Sequence, residues 1–386
     1  MSYLKFKANH IFTGTEMLPE HFVLITNSKG KIENIIEEKD AGENIQQLQG
    51  IITPGFINTH CHTELSHLKN TIQEKTGLVN FVLNIVNNRN AEEENILQAI
   101  QNAEEEMLQN GIVAVGDICN TAFSLQQKIQ NKIAYYNFIE VSGWLPQIAE
   151  KKFNEAVALA QKFSKLQQPC VIVPHAPYSV SDNLWSLINQ QFHHHTITIH
   201  NQETKAENDL FLNGTGNFIT MYKQMNIAHN SFKPSTKNSL PSYFHQLYNA
   251  QNILLVHNTF TSITDIQFLQ QQTFFSQQQI YFCLCPNANL YIENVLPNIE
   301  LLRANHVQLT LGTDSLASNH SLNIVDEIKT ILKHYPQIAI TEVLQWATLN
   351  GAKALAMDNT LGSFEKGKTP GVVVLSNNFN SVKRLI

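Results

Sequence analysis

The chain has 386 residues, of which 43% are hydrophobic and 15% charged, and its formal net charge is −6. This length suits one large domain plus a small one, because single cores rarely grow beyond about 250–300 residues. The acidic balance and the lack of a basic run exclude binding to nucleic acids or anionic membranes through bulk charge. Five cysteines, no apolar stretch near the ~18 residues of a membrane span and no signal-peptide pattern predict a reduced, cytoplasmic protein.

Both ends of the chain read as short strands and turns. The segments YLKFKANHIF, HFVLITNSKGKIENIIE and GIITPG occupy the first 53 residues, and GSFEKGKTPGVVVLSNN begins at residue 362. Short alternating apolar runs bounded by Gly and Asn are typical of strands. We therefore expect residues 1–53 and 362–386 to form a composite β-domain beside a larger domain of residues 54–361.

Eight apolar or β-branched runs follow, separated by amphipathic helical stretches. They lie near residues 55–62, 111–119, 133–143, 170–179, 196–203, 252–260, 280–289 and 307–315. Strands that alternate with helices predict a parallel (β/α)8 barrel, with a doubly wound open sheet as the alternative. Residues 205–250 are too long for a simple link and predict an inserted lid or substrate loop.

Nearly every run begins apolar and ends in a titratable or amide side chain. These side chains belong to His60, His62, Asp117, Glu140, His175, His200, His257, Asn287 and Asp314. The carboxyl ends of barrel strands meet at one face, where barrel enzymes carry their chemistry. The pattern predicts a functional site at that face.

A metal ion accounts for the first of these residues. Side chains two apart on a strand point to the same side, so His60 and His62 share one face. With His200 and Asp314 they offer three imidazoles and a carboxylate, which is typical of a catalytic metal site with an open position. Such an ion, zinc or iron, activates a water for attack. The fourth run ends in PHAPYS without a lysine, so we expect a single ion.

Two further residues are candidates for proton chemistry. Glu203 follows His200 by three positions, which suits a proton shuttle beside a metal ligand. His257 is either a fifth ligand or a group that polarises the water or substrate, and we prefer the second role. Asp314 is expected to hold the metal or water and to accept a proton.

The motifs PGFINTHCH, PHAPYS, HNQE, LVHN and GTDSLASN occur in this order along the chain. Together they resemble the amidohydrolase superfamily, in its cytosine deaminase-like branch, which includes adenosylhomocysteine, methylthioadenosine, guanine and aminodeoxyfutalosine deaminases and chlorohydrolases. The resemblance implies metal ligands at His60, His62, His200 and Asp314, a proton shuttle at Glu203 and His257 beside the attacked carbon. Because Ser315 follows Asp314, the classical adenosine deaminases are disfavoured.

Substrate contacts are predicted less directly. The resemblance implies His175 near the substrate, and we add Asn287. Glu64 continues the alternation of His60 and His62, and HCHTELSHL is similar to aminodeoxyfutalosine deaminases; a salt bridge at the rim is the alternative. The arginines are Arg89, Arg303 and Arg384. We expect none of them near the third strand, which disfavours adenosylhomocysteine.

Three functions remain open. The first is a metal-dependent deaminase of an amino-substituted ring, adenosine-like and releasing ammonia, with aminodeoxyfutalosine or a 5′-modified adenosine as substrate. The second is a cyclic amide or imine hydrolase of the imidazolonepropionase type, and the third is a metal-binding protein without turnover. The expected partner is a small molecule, and a homo-oligomer remains open.

Overall fold

The computed structural model describes residues 3–228, 232–272 and 278–386. Its strands are β1 (Tyr3–Lys7), β2 (His10–Phe12), β3 (Met17–Leu18), β4 (Phe22–Asn27), β5 (Ile32–Glu37), β6 (Gln46–Gln47), β7 (Ile51–Thr53), β8 (Phe56–Cys61), β9 (Ile112–Cys119), β10 (Ala134–Val141), β11 (Cys170–Pro174), β12 (Thr196–Asn201), β13 (Asn252–His257), β14 (Gln279–Leu284), β15 (Gln308–Leu311), β16 (Val373–Leu375) and β17 (Val382–Arg384).

The α-helices are α1 (Glu38–Ala41), α2 (Leu78–Asn88), α3 (Glu93–Gln109), α4 (Leu125–Lys128), α5 (Ala149–Lys165), α6 (Asp182–Ile188), α7 (Lys205–Asn213), α8 (Asn217–Gln224), α9 (Ser239–Tyr243), α10 (Ile263–Gln271), α11 (Pro286–Ile292), α12 (Ile299–Ala304), α13 (Ile324–His334), α14 (Ile340–Gln345) and α15 (Gly351–Ala354). In the described ranges, no helix has the length and hydropathy needed to cross a bilayer.

Strands from both ends of the chain share one sheet, in the order β17-β16-β7-β2-β3. β16 runs antiparallel to β7, and Val373 is opposite Thr53. A second sheet, β5-β4-β1-β6, lies in the N-terminal segment alone. Phe6, Ile11 and Phe364 pack in one apolar cluster, so the two ends of the chain are joined by side chains as well as by the backbone.

Two parallel four-stranded sheets follow, β8-β9-β10-β11 and β12-β13-β14-β15. Each predicted run contains one of these strands, which confirms an α/β fold with parallel sheets. The sheets also meet at both outer edges. The amide of His200 donates to the carbonyl of His175 at 3.0 Å on one side, and on the other the amide of Thr313 donates to the carbonyl of His60 at 3.1 Å.

The predicted insertion at residues 205–250 contains the helices α7, α8 and α9, and its residues 229–231 lie outside the described ranges. α8 packs through Phe218 on the ring of Tyr178, with the ring centroids 4.1 Å apart. Leu78 and Phe81 of α2 belong to the same apolar cluster. The insertion is therefore anchored to the segment after β11 and to the helix after β8.

Candidate active site

A cavity of about 350 Å³ opens where the parallel strands end. Its polar lining comprises His62, Glu140, His175, His200, Glu203, His257 and Asp314, and its apolar lining includes Leu78, Phe81, Ile85, Trp144, Met221 and Tyr222. A concave, mostly apolar pocket with a few convergent titratable groups is the usual form of a small-molecule site. Seven of the nine polar strand ends named from the sequence lie in this lining or, for His60, directly behind it.

The predicted metal ligands converge at the inner end of this cavity. The Nε2 atoms of His60 and His62 are 3.2 Å apart. Oδ1 of Asp314 lies 3.3 Å from Nε2 of His62 and 3.6 Å from Nε2 of His60. His200 offers a nitrogen within 4.8 Å of both of these imidazoles, and His257 forms a similar group with His60 and Asp314.

Local structure fixes the direction of His62, which lies just beyond the end of β8. Asp117 of β9 accepts hydrogen bonds from Thr63, at 2.9 Å from the amide and 2.7 Å from the hydroxyl. The ammonium of Lys128, itself buried, pairs with the same carboxylate. Asp117 therefore anchors the turn that follows His62, which gives this strand-end residue a positioning role.

His200 and Asp314 are each oriented by a hydrogen bond to the side-chain atom that faces away from the other ligands. Nδ1 of His200 lies 2.8 Å from the carbonyl of His175, so we assign the Nδ1 hydrogen to that bond, which leaves Nε2 unprotonated towards the other imidazoles. The hydroxyl of Ser318 donates to Oδ2 of Asp314 at 2.6 Å, which leaves Oδ1 facing His60 and His62. Asp314 has a φ of 57°, a strained conformation that typically marks functional positions.

Burial sets the protonation of these groups. Desolvation lowers the pKa of His60, and it lowers the pKa of His200 well below its usual range, to which His175 and the other imidazoles contribute. Desolvation likewise lowers the pKa of His257 to about 3. Desolvation on its own would raise the pKa of Asp314. The hydrogen bond with His60 and the neighbouring histidines together outweigh this effect and hold the pKa well below its usual range.

These residues fit a divalent cation. Unprotonated imidazole nitrogens and an ionised carboxylate face one another within a few ångströms in a site shielded from water, where their lone pairs repel unless a cation lies between them. Imidazole and carboxylate are the donors that zinc and other borderline ions prefer. His60, His62, His200 and Asp314 could hold one ion, and His257 lies within reach of the same centre.

Glu203 lies beside this centre, buried, with its Oε1 3.6 Å from Nε2 of His257. Desolvation raises its pKa well above the usual range, and the negative charges of Asp314 and Glu207 add to the effect. These surroundings favour the protonated form of the carboxyl group, which is the form required of a general acid.

Gln202, which separates the third imidazole from this acid, has a φ of 46° and is fixed by its neighbours. Its amide donates to Oε1 of Glu207 at 2.9 Å, its side-chain nitrogen donates to Asp265 at 3.0 Å, and its side-chain oxygen accepts from Thr261 at 2.7 Å. Helices α7 and α10 thus both hold the turn between His200 and Glu203. These contacts are not predictable from the sequence, because nothing in the spacing of the residues brings them together.

Three predicted residues lie in other surroundings than expected. Glu64 does not continue the strand, because β8 ends at Cys61 and residues Thr63–Leu68 form a 3₁₀ turn after Asp117 captures Thr63. Glu64 Oε2 accepts from the amides of Asn120 and Thr121, at 3.1 and 2.9 Å. It is not among the described side chains that line the cavity.

Asn287 is likewise absent from the described lining of the cavity. Its side chain donates to Glu327 at 3.0 Å and accepts from Thr330. Its predicted contact with substrate gains no support from this position. His175, in contrast, does line the cavity, with its Nδ1 2.8 Å from the hydroxyl of Ser179.

Arg89, in contrast, was not expected near the site but lies in the lining of the cavity. It follows α2 and lines the cavity together with Glu140, Ser142 and Gly143, which end or follow the third strand of the parallel set. The expectation that no arginine approaches this strand is therefore wrong. Helix α2 folds back across the strand ends, and the distance along the sequence gave no sign of this.

Comparison with known proteins gives a consistent result. Residues 51–385 match the amidohydrolase family. An adenosine deaminase of Helicobacter pylori is 27% identical over 338 residues, which cover 85% of this chain and 79% of that protein. The solved structure of Helicobacter pylori aminofutalosine deaminase in complex with methylthio-coformycin has a TM-score of 0.84 at 23% identity, covering 99% of this chain and 100% of that one.

An adenosine deaminase from Xanthomonas campestris with bound zinc has a TM-score of 0.73 at 19% identity, covering 97% of this chain and 84% of that one. At these identities the two solved structures show that the fold is shared. The family match extends over most of the chain, including the strands that carry all the candidate ligands. This chain therefore belongs to the amidohydrolase family.

Proposed function

We propose that this protein is a metal-dependent hydrolytic deaminase that removes the amino group of an adenosine-like nucleoside as ammonia. The observation that carries the proposal is the convergence, in one cavity, of three imidazoles and a carboxylate with a buried acid, Glu203. A metal-storage protein has no need of a protonated carboxyl group beside its ligands. The deaminases named among the similar proteins support the same reaction.

In this proposal His60, His62, His200 and Asp314 hold one divalent ion. When bound, the ion would act as a Lewis acid and lower the pKa of a water in the site. Members of the family generally use such an ion, and the zinc in the Xanthomonas campestris enzyme makes zinc our first choice, with iron as the alternative.

The proton transfers belong to the side chains. Glu203 donates a proton to the ring nitrogen next to the carbon that bears the amino group, which makes that carbon susceptible to attack. Asp314 accepts a proton from the attacking water, and His257 stabilises the tetrahedral centre. Asp314 then passes that proton to the amino group, the carbon–nitrogen bond breaks and ammonia leaves. The hydroxyl left on the carbon becomes a carbonyl and gives its proton to the Glu203 carboxylate, which restores the acid. General acid–base help of this kind contributes about 10²–10⁴-fold.

The shape of the cavity supports a nucleoside with a substituent at its 5′ position. The volume of about 350 Å³ exceeds what a bare purine fills, and besides the histidines and acids the lining includes apolar side chains, Phe81, Ile85 and Trp144 among them. Arg89 and Lys152 add cations to the lining. A 5′-modified adenosine, aminodeoxyfutalosine included, matches this distribution of polar and apolar groups.

For the architecture we infer a closed (β/α)8 barrel over residues 54–361 and a composite β-domain of residues 1–53 and 362–386. The hydrogen bonds at both edges of the two parallel sheets favour closure over a doubly wound open sheet. The helices of the 205–250 insertion are proposed to act as a lid. We also propose a cytoplasmic location, supported by five cysteines that are all free thiols.

The test is an ammonia-coupled screen of adenosine, 5′-deoxyadenosine, 5′-methylthioadenosine, aminodeoxyfutalosine, guanine and aminopterins, with zinc- and iron-loaded protein. We expect ammonia from at least one adenosine-based nucleoside. If no amino-substituted ring releases ammonia, the deaminase proposal is wrong, and opening of a cyclic amide by the same protein would identify the imidazolonepropionase-like alternative.

A further inference from the structure

Glu140, at the end of β10, has no role in the mechanism above, yet its side chain lines the cavity and is only 8% exposed. Its Oε1 accepts a hydrogen bond from the side chain of Asn120 at 3.1 Å. Its Oε2 is buried and has no hydrogen-bond partner among the described residues. A buried carboxylate oxygen without a donor is costly, so such an atom calls for a ligand.

The neighbouring histidines do not supply the missing donor. Nδ1 of His200 is 3.7 Å from Oε2 of Glu140, but its hydrogen is directed to the carbonyl of His175 at 2.8 Å. Nδ1 of His175 is engaged with the hydroxyl of Ser179. Oε2 of Glu140 therefore lacks a donor among the described residues, while Glu140 itself borders the cavity.

The position of Glu140 indicates what this donor is. Glu140 lines both the cavity and a groove that continues to the surface, as do Arg89, Asn120, Ser142 and Lys152. Glu203, His257 and Asp314 line the cavity alone. Glu140 thus lies where the cavity and the groove share residues. In an adenosine-like nucleoside the ribose, with its hydroxyl donors, lies next to the purine.

We propose that Oε2 of Glu140 accepts a hydrogen bond from a ribose hydroxyl, so that the enzyme selects ribonucleosides over free bases and dideoxynucleosides. A ring nitrogen of His175 lies within 4.8 Å of a carboxylate oxygen of Glu140, a separation that a pair of adjacent hydroxyls can bridge. This inference rests on the proposed function, because it assumes that the purine amino group is placed at the metal ligands.

The test uses the metal-loaded enzyme, the nucleoside that it deaminates best and the 2′,3′-dideoxy analogue of that nucleoside. We expect the parent enzyme to favour the ribonucleoside in kcat/KM by about 10–100-fold, the usual effect of a hydrogen bond to a charged group. E140Q should lose most of this preference, mainly through a higher KM for the ribonucleoside, and should act on the dideoxy analogue as the parent does. E155Q, which alters a half-exposed acid in the groove, is the matched control and should keep the preference.

If E140Q lowers kcat/KM equally for both substrates, the inference is wrong, because Glu140 would then make no hydrogen bond that depends on the ribose hydroxyls. Loss of one equivalent of metal in E140Q would also overturn it, by making Glu140 a ligand. If E140Q does not fold, the measurement on the parent enzyme is the test. Equal kcat/KM for the ribonucleoside and the dideoxy analogue refutes the inference, and a preference of the expected size supports it. A parent that deaminates nucleosides but shows no such preference leaves the proposed function intact, whereas a parent that releases no ammonia refutes both.

Discussion

His62 is one of the four proposed metal ligands. It faces Asp314 at 3.3 Å and His60 at 3.2 Å at the inner end of a cavity. We expect His62→Ala to lower the metal content to near background, because one of the four proposed ligands is lost. The remaining imidazoles are desolvated and do not take up protons in place of the ion. Elemental analysis of the purified variant measures this.

The matched control is His194→Ala, which removes an exposed imidazole from the run at residues 193–195. It should keep the metal content of the parent. Full metal and full rate in His62→Ala would show that the ligand assignment is wrong.

Glu203 is the proposed proton donor of the site. Its burial raises its pKa well above the usual range, so the carboxyl group is poised to donate. We expect Glu203→Gln to keep metal and substrate binding while kcat falls by about 10²–10⁴-fold, because glutamine fills the same space without an exchangeable acidic proton. Steady-state ammonia release together with metal analysis separates rate from binding.

Glu94→Gln, on an exposed turn of α3, serves as the control for this substitution and should match the parent. A Glu203→Gln enzyme that releases ammonia at the parent rate would refute the mechanism.

At this scale the sequence predicted residues that the fold brings together and missed the bonds that hold them in place. His60, His62, His200, Glu203, His257 and Asp314 follow a regular rule, since they all lie at or just beyond the ends of buried strands. Asp117 with Lys128, and Gln202 with Glu207, act through bonds between separate elements, and no spacing along the chain encodes such bonds. Glu140 was visible as a polar strand end, but its unsatisfied oxygen could be found only in three dimensions.

Among the elements, the 3₁₀ turn Thr63–Leu68 buries an acid that is sensitive to pH. Desolvation raises the pKa of Glu64 to about 7, against about 4.3 in an unfolded chain. The folded protein therefore binds more protons than the unfolded chain between these two pH values, and its stability falls as pH rises through this window. The loss amounts to roughly 3–4 kcal/mol once the side chain is ionised.

Glutamine does not ionise, so Glu64→Gln should gain stability relative to the parent between pH 5 and pH 8. Thermal unfolding of both metal-loaded proteins at the two pH values measures the change, and Glu94→Gln should show none. A difference between Glu64→Gln and the parent that is the same at pH 5 and pH 8 would contradict the assigned burial of this carboxyl group.

The elements themselves were largely predictable, because alternating apolar runs and amphipathic stretches report burial directly. The ends of the strands were not. The run at 170–179 yields a strand of Cys170–Pro174, and the run at 55–62 ends at Cys61. At the second of these ends the chain turns where a side chain from another element captures it, as Asp117 captures Thr63.

On the scale of the whole molecule, the path of α2 brings Arg89 to a cavity whose chemistry resides on the strands. If the substrate carries a carboxylate at the end of its 5′ arm, Arg89 is a cation of the cavity lining, beside Lys152, that can pair with it. We expect Arg89→Gln to raise KM about tenfold for a 5′-thioadenosine with a carboxyalkyl arm, since a charged hydrogen bond is lost.

The same variant should leave KM for 5′-methylthioadenosine unchanged, because that substrate has no carboxylate to pair with the arginine. An equal change in KM for the two substrates would show that Arg89 contributes to the shape of the cavity and does not pair with a carboxylate of the substrate. The measurement needs only the parent, one variant and the two nucleosides.

The edge where β8 meets β15 joins residues far apart along the chain. Asn58 bonds to Thr313 at 2.7 Å across 255 positions, and Thr59 bonds to the carbonyl of Leu311 at 2.9 Å across 252. Contacts of such separation form late, because closing the intervening loop costs entropy. During synthesis the ribosome delivers His60, His62 and His200 before Asp314, so a nascent chain that has not reached β15 carries the three proposed imidazole ligands without the carboxylate. On the proposed ligand assignment, an ion captured at that stage would be bound by histidines alone and would acquire its carboxylate ligand only when the final strand arrives.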